Sequence, residues 1–245
     1  KIGDNCKIYP FSYIEDDVVI GDDCIVYPFT SILNGTRMGK GNKVFQGAVL
    51  GALPQDFSFR GEESLLIIGD NNIIRENVVV NRATHEGAST VIGNDNFLME
   101  GAHISHDTKV GNNCVFGYGT KIAGDCIIGN GAIFSSSVIE NAKTRVGDYS
   151  MIQAGTTFSK DVPPYIIAGG KPVVYSGQNT TMMNMYNIDS KIQKHIANAY
   201  RLVFHGQTSI FDAVIQITEQ VPDSAEIRNI VEFIKATELG IISKM

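Results

Sequence analysis

The chain has 245 residues, of which 43% are apolar, enough for a core in one large domain or two small ones. Its net charge of −6, with Lys and Arg dispersed, excludes broad nucleic-acid binding through phosphate neutralisation. No apolar run reaches the length of a membrane span, and residues 1–11 lack the apolar segment of a signal peptide, so no integral membrane segment and a cytoplasmic location are expected.

From the N-terminus the chain reads as a repeat. Every sixth residue from Ile2 is apolar: Ile8, Ile14, Ile20, Val26, Ile32, Met38, Val44 and Leu50, then Ile68, Ile74 and Val80, and again from Ile92 to Phe134 and from Val146 to Phe158. Of the 27 positions in this phase up to residue 158, 23 are apolar; the exceptions are Asp56, Glu62, Glu86 and Glu140. A helix of 3.6 residues per turn cannot keep such a repeat on one face. Hexapeptides are the signature of a parallel β-helix, three to a triangular coil, with apolar side chains stacked inside at the strand spacing of about 4.8 Å. Cys6, Cys24, Cys114 and Cys126 each lie two residues before an apolar position. They read as small inward-facing residues, not as metal ligands or a redox pair.

Two stretches, 51–66 and 81–90, break the pattern without changing its phase. They read as loops projecting from a rigid prism, where functional residues are often carried. The period ends in "KDVPPYIIAGGKP" at 160–172, with Pro163 and Pro164 breaking the last coil. Beyond Gly177 the pattern turns helical. Asp189 or Ser190, Ser209, and Asp223 or Ser224 are expected to cap three amphipathic helices, the last closing at Gly240. The domains expected are an all-β parallel β-helix over 1–176 and a C-terminal α-helical domain over 177–245, the latter covering the open end of the solenoid.

The stretch "GAHISHDTKVGNNC" at 101–114 holds two of the five histidines. Ile104 and Val110 belong to the repeat; His103, His106 and Asp107 do not, so the stack does not require them. One coil beyond His106 stands Gly124, in "KIAGDC". An imidazole beside a glycine N–H offers a base for a hydroxyl proton and a donor for an oxyanion. Spacing alone leaves open a surface histidine bonded to its neighbours. Zinc chemistry on a β-helix needs three histidines; only His85, His103 and His106 are candidates, and their spacing does not fit, so neither metal nor cofactor is expected.

The motifs "GALPQD", "IGDNNIIREN", "NFLMEGAHISHD", "IAGDC" and "KDVPPYIIAGG", followed by a helical tail, resemble the UDP-N-acetylglucosamine O-acyltransferases over essentially the whole chain. These are left-handed β-helix enzymes of the hexapeptide-repeat acyltransferase group, and they catalyse the first step of lipid A synthesis. The resemblance implies that a (3R)-hydroxyacyl group passes from acyl carrier protein to the sugar 3-hydroxyl of UDP-N-acetylglucosamine. His106 would be the general base, Asp107 its support and the Gly124 N–H the oxyanion donor. His103 would shape the sugar pocket, and Gln55 and Asp56 would bind the sugar or hydroxyacyl end. Asn179 would contact the nucleotide, Ala154 would lie near the end of the acyl groove, and the site would sit between subunits of a homotrimer. Ser58, Asn81, Asp125, Asn141 and Ala142 depart from the family pattern, and Glu140 occupies an apolar repeat position. Thr181 and the Met185–Tyr186 region stand where charged nucleotide contacts are expected. These changes leave two alternatives: a related enzyme with another acceptor, such as an amino-sugar N-acyltransferase, or a non-catalytic β-helix.

Overall fold

Strands of two to four residues recur along the chain and pair in parallel with strands one coil away, as Lys7–Ile8 with Ile25–Val26 and Val115–Phe116 with Ile133–Phe134. The computed structural model describes residues 1–206 and 208–243, and in it these strands, with one antiparallel strand of five residues at the end of the largest sheet, build three sheets of ten, eight and seven strands. The result is a left-handed parallel β-helix whose regular coil takes 18 residues, the step from Lys7 to Ile25. Two-residue strands have no stability of their own. The stack holds them: Val26, Ile32, Val44, Leu50, Ile74, Val80, Leu98 and Ile104 are fully buried. Each such side chain contributes about 1.5–3 kcal/mol relative to exposure.

The two inserts preserve the phase because their lengths are multiples of six. Val44 pairs with Ile74, 30 residues on, and Ile68 with Ile92, 24 residues on. The ladder therefore continues beneath both loops.

Corners are turned by residues in the left-handed region, many of them Asn or Asp, including Asp107 (φ 59°) and Asp125 (φ 60°). Short polar side chains tolerate this conformation best after glycine. The inward position before each apolar residue is used as expected. Cys24, Cys114 and Cys126 are buried, and their thiols lean on carbonyls of the next coil at Gly39, Gly129 and Asn141, 3.1–3.3 Å away. Burial pushes the Cys114 thiol up to about 12, which keeps it unreactive. A ladder absent from the sequence reading occupies the same positions. Asn42, Asn72 and Asn96 are buried, and each Oδ1 accepts the backbone N–H of the equivalent residue one coil on.

Glu140 does not interrupt the prism. Its strand, Ile139–Glu140, pairs on both sides with Lys121–Ile122 and Thr157–Phe158, and its side chain points into the core at 1% exposure. Oε1 accepts from the Thr144 hydroxyl at 2.9 Å, while Oε2 is buried without a partner. Burial pushes the carboxyl up to about 8, so it is held as the neutral acid at neutral pH.

The last coil passes into a hairpin, Ile166–Gly169 antiparallel to Val174–Gln178, so a boundary at 176/177 falls inside a strand. Among the described residues four helices follow where three were expected: α1 (Thr180–Met185), α2 (Ser190–His205), α3 (Ile210–Gln220) and α4 (Ala225–Lys235). Asp189, Ser209 and Ser224 cap the last three as predicted. The helices close the prism. Tyr200 of α2 is buried and donates to the Pro164 carbonyl at 2.6 Å. Arg145 of the prism pairs with buried Asp161 and donates to the Phe233 carbonyl of α4.

Candidate active site

His106 occupies a corner at the end of the strand His103–Ile104, and the coil above places Gly124 against it. The contact is tight. A Cβ at residue 124 would come within 2.4 Å of His106 Cε1 and 2.7 Å of Nε2. Only glycine lets the ring lie on that Cα. The next residue, Asp125, donates its N–H to the His106 carbonyl at 3.1 Å, which pins the two corners together. The Gly124 N–H has no partner among the described residues.

The ring is mostly enclosed, with 12% of its side chain exposed. Nδ1 lies 2.9 Å from Asp107 Oδ2. A carboxylate there fixes the tautomer that protonates Nδ1 and leaves Nε2 as the basic nitrogen. Burial disfavours the Asp107 charge, but the Thr84 hydroxyl and His106 outweigh it and hold the carboxyl below its usual range. On the other side of the ring Nε2 is 3.7 Å from Asp56 Oδ2. Asp56 is exposed, and the Ser58 hydroxyl and N–H, 2.6 and 2.7 Å from Oδ1, lower its acidity range. The first insert thus reaches the histidine from one side.

His103 faces outward on the same sheet. Its Nε2 is 2.8 Å from Asn81 Oδ1, and Asn81 in turn donates to the Leu53 carbonyl at 2.7 Å. Asn81, noted in the sequence only as a departure, therefore ties His103 to the base of the first insert. Burial, then Lys121 and His106, lowers the His103 pKa and favours the neutral ring.

The remaining candidates lie elsewhere. Gln55 is exposed beside Asp56. Ala154 is exposed just before the strand Thr157–Phe158, which belongs to the sheet carrying His103; the two residues bracket one face of the prism, three strands apart. Asn179 is 2% exposed; its Oδ1 caps α1 at Met182 and its Nδ2 donates to the Tyr149 carbonyl, so the side chain has a structural role at the start of α1. Met182 and Met183 pack inside, whereas Met185 is exposed. Among the described residues no group of three His, Cys, Asp or Glu side chains is arranged to hold a metal ion. No described helix is long and apolar enough to cross a membrane. Thr84 and Thr90, which sequence reasoning passed over, both bond Asp107; the phase-preserving insert "NRATHEGAST" was their only signal.

Comparison with known proteins gives a consistent result. A family model described as UDP-N-acetylglucosamine O-acyltransferase, domain 2, matches residues 161–242, and a bacterial transferase hexapeptide model matches 1–34 and 89–124. An acyl-[acyl-carrier-protein]–UDP-N-acetylglucosamine O-acyltransferase from Syntrophobacter fumaroxidans is 34% identical over 99% of this chain and 95% of its own length. One of the same name from Sulfurovum is 37% identical over 98% and 92%. A crystal structure of a UDP-N-acetylglucosamine acyltransferase from Bacteroides fragilis superposes with a TM-score of 0.97 at 49% identity, covering 99% of this chain and 95% of that one. One from Campylobacter jejuni gives 0.93 at 26% identity, covering 100% and 95%.

Proposed function

The chain belongs to the acyl-[acyl-carrier-protein]–UDP-N-acetylglucosamine O-acyltransferases, and from that premise we propose how its residues transfer a (3R)-hydroxyacyl group to the 3-hydroxyl of UDP-N-acetylglucosamine, the opening step of lipid A synthesis. One observation carries the reading: an imidazole with a carboxylate on Nδ1 lies directly on a glycine whose N–H is unspent. His106 Nε2 takes the sugar hydroxyl proton as the oxygen attacks the thioester carbonyl. The Gly124 N–H meets the charge that develops on the carbonyl oxygen. The tetrahedral intermediate collapses, the C–S bond breaks, and the leaving thiolate of the carrier receives the proton back from the imidazolium. Asp107 keeps the ring oriented and stabilises its charged form.

Asp56 and His103 flank the space next to Nε2 and position the acceptor. Gln55 extends that contact, Ala154 borders the far end of the acyl track, and Asn179 supports the tail segment that faces the nucleotide. The working unit is a homotrimer in the cytoplasm. A second subunit covers the sheet face between His106 and Ala154, and a closed ring satisfies every such face alike.

The test is acyl transfer from 3-hydroxyacyl carrier proteins of several chain lengths to UDP-N-acetylglucosamine and to its 3-amino analogue. Transfer to the hydroxyl sugar, with His106→Ala slower by about 10²–10⁴, is the expected result. A His106→Ala protein that turns over at the parental rate removes the general base. Transfer to the amino sugar alone moves the acceptor.

A further inference from the structure

The second insert has no place in the mechanism above, yet it closes on the catalytic corner. Thr84 is 4% exposed and spends both of its donors on Asp107: its hydroxyl lies 2.7 Å and its N–H 3.1 Å from Oδ2. Thr90, fully buried, accepts the Asp107 N–H at 2.8 Å and so holds the left-handed backbone of that residue. The same oxygen of Asp107 faces His106 Nδ1. We propose that Thr84 is a positioning residue that sets both the direction and the strength of the Asp107–His106 bond, so that the insert tunes the base as well as framing the corner.

The reasoning rests on His106 being the general base. A carboxylate oxygen that accepts two donors from Thr84 spreads its charge over three hydrogen bonds. Remove the hydroxyl, and Oδ2 becomes a stronger acceptor for Nδ1–H, which stabilises the imidazolium over the neutral ring. More of the enzyme is then protonated at a given pH and unable to take a proton. Other charged or titratable groups near the ring are Asp56 from the first insert, at 3.7 Å, His103 and Lys121 on the sheet that ends at this corner, and His85, which follows Thr84 in the second insert and acts on Asp56; the Thr84 hydroxyl is bonded to Asp107 and to none of these.

The experiment compares the pH profiles of kcat/KM for the parent, Thr84→Val and Thr84→Ser, using 3-hydroxyacyl carrier protein and UDP-N-acetylglucosamine, with thermal melting to confirm folding. In Thr84→Val the acid limb is expected to move up by about half a pH unit, with roughly a threefold loss on the acid side of the profile and little change on the plateau. Thr84→Ser restores the parental profile. A valine variant that is folded but slower at every pH, with the acid limb unmoved, overturns the inference and leaves the base assignment intact. A parental profile without an acid limb takes down the base assignment, and this inference with it.

Discussion

Glu140 gives the sharpest stability prediction. Its carboxyl is enclosed in the aliphatic stack, with one oxygen bonded to Thr144 and the other to nothing, and burial raises it from 4.5 to about 8. In the unfolded chain the group ionises above about pH 4.5; in the folded chain it stays protonated until about pH 8. Between those values the native state holds the extra proton, so stability falls as pH rises, by about 1.4 kcal/mol per unit. The loss is complete above pH 8 and absent below pH 4.5. From pH 5.5 to 8 this one group removes about 3 kcal/mol, which for a chain of this size lowers the melting temperature by roughly 5–10 °C. Glu140→Gln keeps the shape and the Thr144 acceptor but cannot ionise. Melting curves of the two proteins should nearly coincide at pH 5 and separate steadily up to pH 8, with the glutamine variant higher. Parallel curves across that range would refute the claim that Glu140 is a neutral acid in the core.

The other predictions concern the site. Gly124→Ala places a methyl group 2.4 Å from His106 Cε1, so the ring must leave its seat. Activity should fall at least as far as in His106→Ala, with a stability loss of about 1–3 kcal/mol from overpacking; a near-normal kcat would show that the ring does not need to lie on that glycine. Asn81→Ala removes the hydrogen bonds that tie His103 to the Leu53 carbonyl. It should cost about 1 kcal/mol in denaturant unfolding, as for an ordinary hydrogen bond with solvent at hand, and raise KM for the sugar nucleotide more than it lowers kcat. An unchanged KM would separate His103 from acceptor binding.

How much of this was legible in the sequence follows from the physics of stacking. A β-helix needs the same kind of residue at the same edge of each coil, so the period of six is written along the chain, and 106 and 124 can be related by counting. The inserts hide nothing from that count because they add whole hexapeptides. Residues inside them have no register, however. Thr84 and Thr90 reach Asp107 through a loop path that no period encodes. The cap at Asn179 escapes the count for a different reason. Its type suits a nucleotide contact, but α1 is too short to show a helical period, and the capping role that uses up the side chain was therefore invisible. Glu140 reads as a defect because patterning treats every glutamate as charged; in a dry stack a carboxyl is a neutral side chain of about the right volume.

The position of Ala154 constrains the course of an acyl chain on the proposed reading. Three strand steps separate the His103 strand from the strand that follows Ala154, about 15 Å along the prism. The outward residues on the way are Lys121 and Ile139, and Ile139 is 45% exposed. A thioester held at Gly124 therefore has an apolar foothold part of the way to Ala154, but the face is open along its length in a single chain. An acyl group left in water gains nothing from such a surface, and transfer to water would compete with transfer to the sugar. The geometry accordingly asks for a wall, and a flat sheet face with catalytic groups at one edge is the natural place for an identical neighbour to supply it. On the proposed reading His106, Asp107 and Gly124 serve together from one chain, so a neighbour's contribution would fall on substrate retention: disrupting that contact should raise KM and permit hydrolysis before it slows the proton transfer itself.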